Sequence, residues 1–257
     1  METLPNELVN MILEFLDYEK IMEISNFNTV YNSLIHNSKY PIKIKLVINE
    51  SNIEEILDIL EEWVHVFKFS ISIEYEFISK FFDLKILEKT YGKKIYLLCR
   101  VHTLILNHTQ VSDVSSLGQV HTLYLKYTQV SDVSALGGVH KLDLSDTQVS
   151  DVSALGRVHI LKLSDTQVID VSALGGVHTL DLSWTKVSDV SMLGQVHTLD
   201  LWGAQVSDVS ALGNVHTLDL SFTRVSDISM LGNVHTLYLR DAPVSDVSAL
   251  KNVNLYR

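Results

Sequence analysis

From Val101 to Val253 the chain is one 19-residue unit repeated eight times without a gap, with a ninth copy begun at Val253. Written once, the unit is V-H-T-L-x-L-S-x-T-Q-V-S-D-V-S-A-L-G-x. Its first position falls at Val101, Val120, Val139, Val158, Val177, Val196, Val215, Val234 and Val253. So short a fixed period predicts a solenoid, because each unit is too small to bury its own apolar face and is covered only by its neighbours.

Numbering the unit from 1 to 19, positions 1, 4, 6, 11, 14 and 17 are Val, Leu or Ile throughout. Positions 4 and 6 alternate with polar neighbours, which predicts a short strand around positions 3 to 7. Equivalent strands then stack as a parallel sheet about 4.8 Å apart. Only about a dozen residues remain for the return, too few for an α-helix flanked by two turns. The return is expected to be a 3₁₀ or irregular turn. Gly at position 18 suits a tight corner with φ above zero.

Two polar rows accompany the core. Asp113, Asp132, Asp151, Asp170, Asp189, Asp208, Asp227 and Asp246 fill position 13. Single stacked carboxylates are poor calcium ligands, so each is expected to accept a backbone N–H within its own turn. Histidines fill position 2 from His102 to His235. Stacked imidazoles do not make a tetrahedral zinc site, and no cysteine assists. The row is expected to be structural and to loosen when protonated together.

Fixed positions build the rod, and positions 5, 7 and 8 vary. They are expected on or beside the exposed sheet face. Asp181, Asp200 and Asp219 share position 5 in consecutive units, where like charges repel and a basic partner would relieve them. Beside them stand Trp184, Trp202 and Phe222, aromatics the core does not require. Tyr124 and Tyr127 form a second, smaller candidate cluster. These eight residues are the candidate target-binding set.

Composition narrows the function. The net charge of −11 opposes nucleic acid and anionic membrane. No apolar run is long enough to span a bilayer, and the N-terminus has no signal-peptide pattern. Cys99 is the only cysteine, which excludes an intrachain disulfide and fits a reducing, cytoplasmic setting. Asn107-His108-Thr109 matches a glycosylation triplet, which means little without secretion. No phosphate loop, Cys–His pair or metal-spaced cluster is present, so no enzyme and no cofactor is expected. Every Glu lies before residue 100 and the repeats use only Asp, so the two parts obey different local rules.

Residues 1–40 read as three short helices. Pro5 fits a first helical turn, and Leu8, Met11, Ile12 and Phe15 recur at helical spacing. Ile21 and Ile24, then Phe27, Val30, Tyr31 and Leu34, continue the pattern. Residues 41–100 read as a strand at 42–48, a helix at 52–63, a strand at 64–73, a helical or irregular piece at 78–87 and a strand at 96–98. They are diverged N-terminal repeats or a small α/β linker. The last strand at Val253 ends an edge that is open to another chain or left by truncation of a longer ancestor.

Two stretches resemble known families. "LPNELVNMILEFLD" followed by "IMEISNFNTVYNSLI" resembles the F-box, although Phe27-Asn28-Thr29-Val30-Tyr31 departs from that motif's third helix. The resemblance implies docking on a Skp-family adaptor of cullin-based ubiquitin ligases. Leu4, Pro5, Leu8, Ile12, Leu13 and Leu16 would be divided between that contact and the module's own core. The repeat resembles a short leucine-rich repeat of the bacterial invasion-protein type, with Thr109, Thr128, Thr147, Thr166, Thr185 and Thr223 in place of the usual Asn and Ala204 and Ala242 in the other two units. The Thr form implies a weaker turn ladder, since a hydroxyl lacks an amide's second arm. Together they imply an α/β solenoid: an F-box-like head (1–40), a middle region (41–100) and a curved parallel-sheet rod (101–257). The expected function is substrate recognition for a ubiquitin ligase, as in F-box proteins with leucine-rich repeats of eukaryotes and giant DNA viruses. The cytoplasm, that of the host if the protein is viral, or the nucleus would be its location. The alternative is a non-enzymatic interaction scaffold whose helical head only caps the solenoid.

Overall fold

A three-residue strand has too few backbone hydrogen bonds to persist alone, so the 19-residue unit is organised around its neighbours. The computed structural model describes residues 102–257, the strands 42–48 and 71–77, and Glu54, which is helical and exposed. The F-box-like stretch, with Leu4, Pro5, Leu8, Ile12, Leu13 and Leu16, lies outside the described residues. So do the helix at 52–63 apart from Glu54, the piece at 78–87 and the strand at 96–98.

Strands β1 (Ile42–Ile48), β2 (Ile71–Phe77), β3 (Thr103–Ile105), β4 (Thr122–Tyr124), β5 (Lys141–Asp143) and β6 (Ile160–Lys162) come first. They are followed by β7 (Thr179–Asp181), β8 (Thr198–Asp200), β9 (Thr217–Asp219), β10 (Thr236–Tyr238) and β11 (Asn254–Tyr256). All pair in parallel and in chain order within one sheet. In the repeats each strand covers positions 3 to 5, shorter than the 3-to-7 expectation. Beyond it the position 6 N–H still donates to the position 5 carbonyl of the next unit, as Leu106 does to Tyr124 at 2.8 Å.

A described strand lies at 71–77 and overlaps the expected 64–73 at its last three residues, while 64–70 lie outside the described residues. Both windows alternate apolar and polar residues, so period alone did not fix the pairing. The register does: Ile42 to Ile48 pairs residue for residue with Ile71 to Phe77. β2 then pairs directly with β3, Tyr75 opposite Leu104.

The six apolar positions form one continuous core. Leu104, Leu106, Val111, Val114 and Leu117 of the first unit are buried, and so are their counterparts through the seventh. The return is a 3₁₀ turn at Ser134–Leu136, Ser153–Leu155, Ser172–Gly176, Ser191–Leu193 and Ser210–Leu212. A 3₁₀ turn advances farther per residue than an α-turn, which lets so short a segment cross the back of the coil. Each Asp at position 13 fastens its start: the Asp132 Oδ1 accepts the Ser134 N–H at 2.9 Å, and the other seven do the same. This is the turn role expected of the row.

The position 9 Thr donates its hydroxyl to the position 6 carbonyl of its own turn, Thr109 to Leu106 at 2.7 Å. Neighbouring turns are instead tied by backbone, Gln129 N–H to the Val111 carbonyl at 3.0 Å. Thr109 is buried, and Asn107 Oδ1 accepts the Lys126 N–H at 2.8 Å, so both polar ends of the glycosylation triplet are structural.

Two expectations are corrected. The glycine at position 18 is not left-handed: Gly137 has φ −62° and Gly213 −60°. It is small because the next turn is too close. A Cβ at Gly137 would sit 2.5 Å from the Ala154 carbonyl oxygen, and one at Gly175 2.5 Å from that of Met192. The left-handed residue is at position 8 instead, as described below. The start of the ninth copy is also shifted. Asn254 pairs with Thr236 and Tyr256 with Tyr238, an offset of 18 residues. The residue missing there is the position 2 histidine.

Substituting Gly137 by Ala should therefore destabilise the fold by about 1–3 kcal/mol through overpacking. Asn214→Ala, at the exposed position 19, should change it by less than about 0.5. Urea unfolding of the two variants checks the contrast.

Candidate functional site

The sheet face is built from positions 3 and 5, which flank the buried position 4. Tyr124, Asp181, Asp200 and Asp219 lie there, all partly buried. Asp181, Asp200 and Asp219 are register partners on β7, β8 and β9, so three carboxylates do stand in a row.

Each of these carboxylates also has a local task. The position 7 N–H lies beyond the paired strand and takes a side-chain acceptor. Asp143, Asp181, Asp200 and Asp219 accept it from Ser145, Ser183, Trp202 and Ser221 at 2.8–3.0 Å. Where position 5 is Tyr, the preceding unit's position 7 side chain substitutes: Asn107 accepts from Lys126 and Ser221 from Arg240. The Ser145 and Ser183 hydroxyls donate to the same carboxylates as their own N–H groups. Trp202 has no hydroxyl to give Asp200. Burial first, and then the flanking Asp181 and Asp219, push the Asp200 carboxyl up to about 6, while the Trp202 N–H and Lys162 oppose the rise.

Position 7 is consequently not a free surface in most units. Ser145, Ser183 and Ser221 are buried. Trp202, 37% exposed at the rim, and Arg240 are the departures.

Position 8 is left-handed in every unit. His108, Tyr127, Asp146, Asp165, Trp184, Phe222 and Asp241 have φ between 53° and 61°, and Gly203 has 68°. Asp tolerates this region through local hydrogen bonds; a bulky aromatic residue in it costs about 1 kcal/mol. The sequence nevertheless places His108, Tyr127, Trp184 and Phe222 there. Trp184 is 50% exposed and Phe222 41%, so burial does not repay the strain.

Trp184, Trp202 and Phe222 form one run. The Trp184 and Trp202 rings meet edge to face at 5.0 Å, and Trp202 and Phe222 at 5.7 Å. Gly203 makes room for it, since a Cβ there would lie 2.8 Å from the Trp184 ring. Arg240 stands over Phe222 at 5.6 Å. Gly203 and Arg240 were missed as site residues; aligning the units by position shows both as departures beside an aromatic. Tyr124 and Tyr127 each meet a further neighbour. Tyr124 lies under the Lys141 ammonium on the sheet face at 5.3 Å. Tyr127 stacks on His108 at 4.7 Å along the rim.

The position 2 imidazoles stack at 4.3–4.7 Å along the whole row. Desolvation and then the neighbouring imidazoles hold His121, His178 and His216 below the ordinary histidine range. Among the described residues no group of three or more His, Cys, Asp or Glu is placed to hold a metal ion, and no helix is long and apolar enough to cross a membrane.

A lowered histidine pKa means that folding favours the neutral ring. That stability is complete above the unfolded value of about 6.5 and is lost as pH falls through the lower folded value. Asp200 acts in the opposite direction, gaining stability as it protonates below about 6. The position 13 carboxylates from Asp132 to Asp246, held low by their Ser N–H donors, contribute stability that stays constant above about 4 and is lost only as pH falls further. The melting temperature should therefore fall between pH 7 and 5, and fall more steeply in Asp200→Asn. A flat profile with the ladder intact removes the histidine argument. In the same assay at pH 7, Trp184→Asn should stay within about 1 kcal/mol of the parent, relief of the left-handed strain offsetting the lost ring contact. Leu180→Ala should lose about 2–5 kcal/mol.

No protein-family model matches the chain, and no curated protein matches it. Solved structures do. Internalin C2 of Listeria monocytogenes is 27% identical with a TM-score of 0.56, over 68% of this chain and 90% of that one. A second internalin of Listeria monocytogenes, inlF, is 15% identical with a TM-score of 0.53, over 98% of this chain and 93% of that one. With the register and turns described above, these likenesses make the rod a curved, parallel leucine-rich-repeat solenoid.

Proposed function

We propose that the chain is a protein-interaction rod whose recognition patch lies on the fifth to seventh units. The carrying observation is the Trp184–Trp202–Phe222 run: half-exposed aromatics in three consecutive units that touch one another, two of them in strained left-handed turns. Aromatic anchors of this kind dominate protein interfaces. Asp181, Asp200 and Asp219 would set the charge of the patch, and Tyr124 and Tyr127 would extend it along the rod.

A second reading is favoured by residues 1–40, whose order of residues is similar to the F-box. In it Leu4, Pro5, Leu8, Ile12, Leu13 and Leu16 serve a Skp-family adaptor, the region 41–100 leads into the regular units, and the rod presents a target to a cullin-based ligase in the cytoplasm or nucleus. Such an architecture suits eukaryotes and the large DNA viruses that infect them. The scaffold reading requires less, because it depends on the rod alone.

One experiment separates them. The full chain is mixed with a purified Skp-family adaptor, beside Leu8→Asp/Ile12→Asp, with circular dichroism as the folding check. Retention by the parent and its loss in a folded variant establishes the ligase reading. No retention by the parent leaves a scaffold with a helical cap. Independently, Trp184→Ala/Trp202→Ala should keep the fold and abolish capture of a protein partner; undiminished capture moves the site off the fifth to seventh units.

A further inference from the structure

Three departures from the repeat fall on the same three units. Trp replaces Ser at position 7 only at Trp202, next to Asp200. The left-handed position carries Trp184 and Phe222 on either side of Gly203. The position 5 row is an unbroken run of Asp at 181, 200 and 219, and no ion pair among the described residues involves any of the three. A turn role explains one oxygen of each carboxylate. It does not explain why Asp200 has lost the hydroxyl donor that Asp143 and Asp181 keep, or why its N–H donor is a half-exposed Trp. Aromatic faces and unpaired carboxylates side by side are complementary to one side-chain chemistry: a weakly hydrated planar cation that stacks and pairs at once.

We propose that the aromatic run and the Asp181–Asp200–Asp219 row form one docking surface for an arginine-bearing extended segment of a partner protein. The guanidinium lies over Asp200 and the apolar neighbours of that arginine lie on Trp184, Trp202 and Phe222. This rests on the protein-binding reading above and specifies its partner chemistry. Arginine is preferred to lysine because an ammonium gives up more hydration to reach the same place. The charged groups acting on Asp200 are Asp181 and Asp219 on the flanking strands and Lys162 beyond them. A guanidinium would offset the two like charges and keep Asp200 ionised, so binding would expel the proton that Asp200 holds in mild acid.

The test uses the full chain and two fluorescein-labelled dodecapeptides, one repeating Arg-Thr-Leu and the other Gln-Thr-Leu, read by fluorescence anisotropy. At pH 7.5 the Arg peptide should bind at least about tenfold more tightly than the Gln peptide, the effect of one charge-assisted contact. Asp200→Asn keeps an acceptor for the Trp202 N–H and should weaken the Arg peptide about tenfold. Asp151→Asn, which removes the same charge from the turn ladder, should change it less than about twofold. Lowering the pH to 5 should weaken the parent by about tenfold, the loss expected for a site about one unit above the new pH, and should weaken Asp200→Asn much less. Equal losses in Asp200→Asn and Asp151→Asn would reduce the effect to general attraction by an acidic surface and overturn the proposal. Equal binding of the two peptides, abolished by Trp184→Ala/Trp202→Ala, would also overturn it while leaving the protein-binding reading intact.

Discussion

The structure depends on each unit finding an identical neighbour at strand spacing. A three-residue strand and a 3₁₀ turn have little internal bonding, so stability comes from backbone bonds running from unit to unit and from the shared apolar core. A close approach lies at position 18, where a single methyl group would collide with the following turn. That contact sets how close the backs of the coils approach. It explains why glycine is kept there although the backbone conformation does not demand it.

Stacking identical units places like beside like, which is harmless for Leu and costly for charge. The chain answers this differently in each row. Position 2 carries histidines, and burial and then the neighbouring imidazoles keep His121, His178 and His216 below their ordinary pKa. Position 13 carries carboxylates that each receive a backbone donor in their own turn. Position 5 carries carboxylates with the same kind of donor, and burial pushes that of Asp200 up to about 6. The first two rows are resolved within the rod. The third has no ion pair among the described residues, and the proposed docking surface centres there.

Much of the candidate surface was legible from variation alone. Asp181, Trp184, Asp200, Trp202, Asp219 and Phe222 stand out as soon as the units are aligned. What alignment did not reveal is that position 7 is buried at Ser145, Ser183 and Ser221 and that position 8 is strained. Ser183 and Ser221 are small and polar, which reads as exposed, yet they are buried against the carboxylates and neighbouring turns. Tyr124 and Tyr127 are close in sequence, but the end of the strand turns them toward different neighbours.

The sequence by itself determined the solenoid, its six core positions, the parallel stacking and the short return. Each follows from period and polarity, and both are written along a single unit. Only the tertiary structure decided which residue is left-handed, why position 18 must be glycine, that the last strand is offset by 18 residues and that the second strand lies at 71–77. Those depend on where the next unit's backbone lies. One coil of sequence carries no record of how closely another will pack against it.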